Sequence, residues 1–168
     1  NIYLLDGASR IVVLDRNYKF LYELGRAGGN EAYDNAKSIY VHSDNTIYIC
    51  DTEGHRVLHI DAKGSLLEII GLPDSSLIPD DFDFRPTRVA VDAKGCTYIL
   101  SDGSYYGALL YDEAKNFLGF YGANSVTSGI TGVLTNIMNR VFPNNDKKGN
   151  TAQKVPYCFV DIKADKDG

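Results

Sequence analysis

No stretch of this chain approaches the roughly 20 consecutive apolar residues that a membrane span needs, and its first residues, NIYLLDGASR, lack the basic and apolar regions of a secretory signal. This segment is therefore not expected to insert into a membrane. Basic clusters are missing too. Lys and Arg gather nowhere beyond Lys147-Lys148 and the formal net charge is −5, so a phosphate backbone would meet net repulsion and nucleic acid is excluded as a partner class. Cysteine is scarce: Cys50, Cys96 and Cys158 lie too far apart for a metal knuckle, and an odd number cannot all pair within one chain. They read as buried or incidental thiols, which leaves the redox compartment open.

What is present is ordinary globular usage. The 168 residues, 44% hydrophobic and 23% charged, suit one domain with a sizeable core. Within them a unit recurs: NIYLLDGASRIVVLDRNYKFLYELG (1–25), TIYICDTEGHRVLHIDAKGSLLEIIG (46–71) and CTYILSDGSYYGALLYDEAKNFLGFYG (96–122). Each copy runs through a Tyr-centred apolar stretch to an Asp (Asp6, Asp51, Asp102), then a polar turn. An apolar stretch ending in a second Asp (Asp15, Asp61, Asp112) and a last one ending in Gly (Gly25, Gly71, Gly122) follow. The second Asp and the Gly are ten residues apart in all three. An earlier strand precedes two copies, SIYVHSDN (38–45) and RVAVDAKG (88–95). Four short strands per unit, with no helix inside, predict a propeller blade, and the spacings of 46 and 51 residues between the closing glycines suit blade repeats.

The stretch SIYVHSDNTIYICDTEGHRVLHID resembles the NHL-repeat family, with its inner strand, its I-Y-x-x-D and its R-V-x-x-x-D. The likeness covers 1–122 and resumes at 159–168. FRPTRVAVDAKGCTYIL and GALLYDEAKNFLGFYGAN are similar to segments of bacterial cell-envelope NHL propellers that precede a membrane domain. The resemblance implies an all-β fold: a β-propeller of about six blades with four-stranded antiparallel sheets. It also implies an extracytoplasmic place in the cell envelope and a scaffold role in protein or ligand binding. The third repeat departs from the pattern, with Ser101-Asp102 and Tyr105-Tyr106-Gly107 where Asp51 and His55-Arg56 would align.

The expected organisation is a blade lacking its inner strand at 1–25, whole blades at 38–71 and 86–122, an insertion at 123–158 and the inner strand of a further blade at 159–168. That tail, DIKADKDG, aligns with RVAVDAKG, and as a calcium loop it would lack both the right ligand positions and a closing Glu. The strands amount to three blades, fewer than a closed ring needs. Two copies joined head to tail would complete each other into a six-bladed ring by strand exchange, each tail strand pairing with the first repeat of the other copy. In the insertion, Ile130, Val133, Leu134, Ile137, Met138 and Val141 share one helical face, which predicts a helix over about 129–142 acting as a lid.

Topology directs attention to one end of the blades. The links between blades, 26–37, 72–85 and 123–160, lie at the same end as the turns between second and third strands, and the opposite end has only tight turns. Long loops on a rigid scaffold commonly carry function, so the candidate binding surface is Thr52, Glu53, His55, Ser104, Tyr105 and Tyr106. The two tyrosines suit recognition of a peptide, a glycan or another protein. His55 and His59, four apart across a turn and a strand, do not meet as a helical metal pair would. Asp80, Asp81 and Asp83 read as a solvated loop anchored by Phe82 and Phe84. Arg10 and Arg56 read as pairing with carboxylates inside the repeat.

Two function classes result. The first is a non-catalytic scaffold, not an enzyme, with no cofactor and no metal, binding a partner through the loop-rich end. The alternative is a lactonase-like, metal-dependent propeller hydrolase or lyase with its site in the central channel. The inner strands favour the first, because Arg88 and Lys163 would oppose a cation there.

Overall fold

The computed structural model describes residues 1–7, 10–24, 33, 35–122 and 160–164. Short runs rich in Ile, Val, Leu and Tyr, each closed by a polar turn, form strands throughout these residues. β1 (Ile2–Leu5), β2 (Ile11–Leu14) and β3 (Phe20–Leu24) make a first sheet. β4 (Ala36–Val41), β5 (Ile47–Asp51), β6 (Arg56–Ile60) and β7 (Leu66–Ile70) make a second. β8 (Pro86–Val91), β9 (Thr97–Ser101), β10 (Ala108–Tyr111) and β11 (Phe117–Tyr121) make a third. Every pairing is antiparallel and between sequence neighbours, as hairpins dictate.

The expected fold class is corrected by this architecture. The described residues form an all-β array of three antiparallel sheets with no helix among them, in place of a six-bladed ring with a helical insertion. The helix expected over about 129–142 lies outside the described residues. Of the expected tail strand, residues 160–164 are described and are not in strand conformation. Asp161 reaches Arg88 of β8 at 3.3 Å, and Ile162 packs on the third sheet's outer face.

The repeated second Asp has a local cause. At the tight-turn end, five hairpins use one five-residue turn: 15–19, 42–46, 61–65, 92–96 and 112–116. In each, the first N–H donates to the fifth carbonyl and the fourth N–H donates to the first carbonyl. The fourth residue is left-handed every time: Tyr18 (φ 62), Asn45 (φ 68), Gly64 (φ 89), Gly95 (φ 79) and Lys115 (φ 63). Where the first residue is Asp, its carboxylate accepts backbone N–H groups that the turn leaves over. Asp61 takes those of Lys63 and Ser65, both at 2.8 Å, and Asp92 those of Lys94 and Cys96, both at 2.9 Å. These donors, Ser65 first, hold the Asp61 carboxyl below its ordinary range. At Gly95 an added Cβ would also sit 3.1 Å from Glu113 Cγ. Gly95→Ala is expected to destabilise by about 1–2 kcal/mol, read as a lower urea midpoint at unchanged slope.

The first Asp has a different role, because it closes the other end of its strand and pairs with an arginine. Asp51 is 1% exposed and accepts from Arg56 Nε at 2.9 Å and from Gly54 N at 3.3 Å. Asp6 repeats the pair with Arg10 at the surface, and Arg10 Nη1 also meets Glu23 Oε2 at 3.2 Å. In the third repeat Ser101 takes this place. Its hydroxyl donates to Asp83 O at 2.9 Å and accepts from Arg85 N at 2.8 Å, which fastens the 72–85 link to the sheet.

Alternation along the strands sends one side-chain set to each face, so each gap between sheets fills with apolar groups. Ile11, Val13, Ile47, Ile49 and Leu58 fill the gap between the first and second sheets; Cys50, Val57, Ile99, Leu109 and Phe120 fill that between the second and third. Cys50 and Cys96 are free and buried, and burial pushes the Cys50 thiol up to about 12. The inner strands β4 and β8 are joined directly. Ser38 Oγ donates to Thr87 O at 2.8 Å and Tyr40 OH to Val91 O at 2.9 Å.

Candidate functional site

The link 72–85 decides how the loop-rich end is built. Two turns, with Ile78 N donating to Ser75 O and Phe82 N to Pro79 O, fold it back over the sheets. Phe84 is buried at 2% exposure and Phe82 packs on the second core. These aromatic anchors aim the polar residues between and after them, Asp83 and Arg85, at the β5–β6 turn.

That turn is Thr52 to His55, closed by His55 N donating to Thr52 O at 3.3 Å. Thr52 is buried and its hydroxyl donates to Pro86 O at 2.6 Å, so it positions backbone and does not face outward. Glu53 is forked against Arg85, with Nη2 to Oε1 at 2.7 Å and Nη1 to Oε2 at 3.3 Å. The Arg85 hydrogen bond, then its charge, then Lys37 and His55 hold the Glu53 carboxyl below its ordinary range. The same hydrogen bond holds Arg85 up, with Asp83 and Asp102 adding to it. Three basic groups, Lys37, Arg85 and His55, thus surround one carboxylate at the surface.

His55 sits at φ 53, a conformation that L residues rarely adopt. Its Nδ1 lies 3.0 Å from the Phe84 carbonyl oxygen and 3.4 Å from Asp83 Oδ1. A carbonyl oxygen can only accept, so Nδ1 carries the hydrogen and the neutral ring's lone pair falls on Nε2. The side chain is 52% exposed. A base with one nitrogen held by an acceptor, beside a guanidinium, is an arrangement that can serve proton abstraction next to a polarised carbonyl.

The remaining expected site residues form a second group on the β9–β10 loop. Ser104 is buried: its N–H donates to Ser101 O at 3.2 Å, and its hydroxyl accepts from Tyr106 N at 3.4 Å. Tyr105 is 55% exposed and Tyr106 38% exposed. Tyr106 packs against Phe82 and Phe120 with ring centroids 6.1 and 5.4 Å apart, which ties its loop to the link that carries Asp83 and Arg85. The structure therefore brings Glu53 and His55 together, stands Tyr106 beside Phe82, leaves Tyr105 exposed, and turns Thr52 and Ser104 inward. Sequence reasoning missed Asp83 and Arg85 as their partners. The acidic run at Asp80, Asp81 and Asp83 was the only signal, and it read as solvated. Among the described residues no three His, Cys, Asp or Glu side chains converge as a metal ion would need.

No protein-family model matches the chain, and no curated protein does. Solved structures do. A protein titled "Putative exported protein" from Bacteroides fragilis is 20% identical with a TM-score of 0.54, over 76% of this chain and 36% of its own. Hydrazine synthase from Kuenenia stuttgartiensis is 14% identical with a TM-score of 0.48, over 69% of this chain and 31% of its own. Virginiamycin B lyase from Staphylococcus aureus is 12% identical with a TM-score of 0.45, over 70% of this chain and 36% of its own. The chain spans about a third of the length of each.

Two expectations change with these findings. Without a matching family model, the NHL identity gives way to a coarser statement. The expectation of a non-catalytic binding scaffold that is not an enzyme is also corrected: proteins named as a synthase and as a lyase are among the similar structures, and the fold by itself assigns no role to this chain. The chain adopts a propeller-like repeat β-fold, shared with the exported protein of Bacteroides fragilis.

Proposed function

We propose that this chain belongs to a propeller-type enzyme of the lyase or hydrolase class, with His55 as general base at the loop-rich end. One observation carries the reading: the Phe84 carbonyl on Nδ1 puts the hydrogen there and leaves the lone pair on Nε2 of an imidazole whose side chain is 52% exposed. Arg85, drawn from Glu53 by an anionic oxygen, supplies positive charge to a developing enolate or oxyanion. Tyr105 and Tyr106 offer a stacking surface for a peptide or a ring-bearing substrate on the same end. Asp83 adds a second acceptor for Nδ1–H and steadies the imidazolium that forms once Nε2 takes a proton.

The test is a turnover screen of the intact protein against simple esters and lactones, beginning with p-nitrophenyl acetate, alongside hydrogen–deuterium exchange at carbons next to a carboxylate. Catalysis that tracks the protein through purification and responds to changes in the Glu53–Arg85 pair is expected. Indifference of all measured rates to Arg85→Met and to His55→Gln would remove the proposal.

A further inference from the structure

At the opposite end of β6 a second group of titratable side chains lies between the second and third sheets, apart from the site just described. His59 on β6 and Tyr48 on β5 are register partners, and their rings stack at 4.0 Å between centroids and 9° between planes. The Tyr48 ring is part of the core shared with the third sheet. From the third sheet's β10–β11 turn, Lys115 places Nζ 5.9 Å from the Tyr48 centroid and donates to Thr97 Oγ1 at 2.9 Å. The stack thus sits where the two sheets meet.

His59 is poorly provided for when charged. Its Nε2 is buried without a hydrogen-bond partner among the described residues, and its side chain is 16% exposed. The groups facing it are Tyr48 on β5, Glu68 Oε2 on β7 at 3.9 Å from Nδ1, Asp44 and His42 of the β4–β5 turn, and Lys115 of the third sheet. His42 and Asp44 pair with each other at 3.0 Å. Burial first, then Lys115, holds His59 below its ordinary value; Asp44 opposes them.

We propose that the His59–Tyr48 stack is an acid-released latch between the second and third sheets. Neutral His59 fills the seam. Protonated His59 is repelled by Lys115 and drawn outward toward Glu68 and Asp44, which leaves Tyr48 and Lys115 without the ring that supports them. The sign follows from linkage: with a depressed pKa in the closed state, that state binds fewer protons than the open one. Its stability is complete above the ordinary histidine value of about 6.5 and declines as pH falls toward the closed-state value.

Amide hydrogen exchange on the intact protein, corrected for intrinsic rates at pH 7 and pH 5, tests this. In the unmodified protein β5, β6, β10 and β11 are expected to open about threefold or more beyond their pH 7 level. His59→Phe, which keeps a stacking ring and removes the titration, should abolish that excess, and His42→Gln should retain it. An equal acid response in His59→Phe, or its loss in His42→Gln, overturns the latch. If His59→Phe does not fold, the imidazole resonances of His59 in the unmodified protein decide. Protonation in step with the opening supports the latch, and protonation without opening, or opening without protonation, overturns it. Neither reading depends on catalysis, so this proposal and that for His55 stand or fall separately.

Discussion

His55→Gln in the intact protein is expected to lower turnover by about 10²–10⁴-fold, the usual contribution of one positioned general base. Gln keeps an amide N–H that can reach the Phe84 carbonyl, so the turn closed by Thr52 O and the link 72–85 should stay in place. Substrate binding, read as KM, should therefore move much less than kcat, because Nε2 acts on the proton in flight and not on the resting substrate. Asp83→Asn is expected to produce a smaller loss. The Phe84 carbonyl still fixes the tautomer, and what is removed is a carboxylate 3.4 Å from Nδ1 that stabilises the charged ring. A His55→Gln protein with undiminished kcat would place the chemistry elsewhere on the fold.

The contrast between these two residues also shows where sequence reading reaches its limit. The blades were legible because their punctuation is local. An Asp that caps its own turn, and a left-handed fourth residue, act within five residues, so Asp61 recurs as Asp15 and Asp112 at the same place in the other repeats, and the same turn serves Asp92 and Gly95. The Arg56–Asp51 pair was legible for the same reason, since both flank one turn. The partner of His55 was not. Asp83 reaches it through a link whose path is set by where Phe82 and Phe84 find apolar cover, and no periodicity records that. His59 was weighed only as half of a metal pair with His55. Its actual partner, Tyr48, lies across the hairpin in register, and the turn geometry that fixes that register was already implied by the repeat.

A second large effect is expected from Arg56→Ala, which should destabilise the protein by about 3 kcal/mol, toward the lower end for breaking a buried pair. Asp51 is 1% exposed, so once Arg56 is gone its carboxylate keeps the long 3.3 Å hydrogen bond from Gly54 N within the turn but loses its counter-charge. The Arg56 side chain is 23% exposed, and water entering along its vacated path softens the loss. The first repeat supplies the control. Arg10 and Asp6 make the same pair with 49% and 30% of their side chains exposed, and Arg10→Ala is expected to cost about 0–1 kcal/mol. Urea midpoints of the two variants measure the difference directly. Equal losses would mean that burial does not set the strength of this pair. The Asp shared by the first two repeats at the end of the Tyr-centred strand would then have to be explained by something the two sheets share and the pair does not. Because Asp51 and His55 close the same turn, Arg56→Ala should also lower activity, while Arg10→Ala, one sheet away, should leave it unchanged.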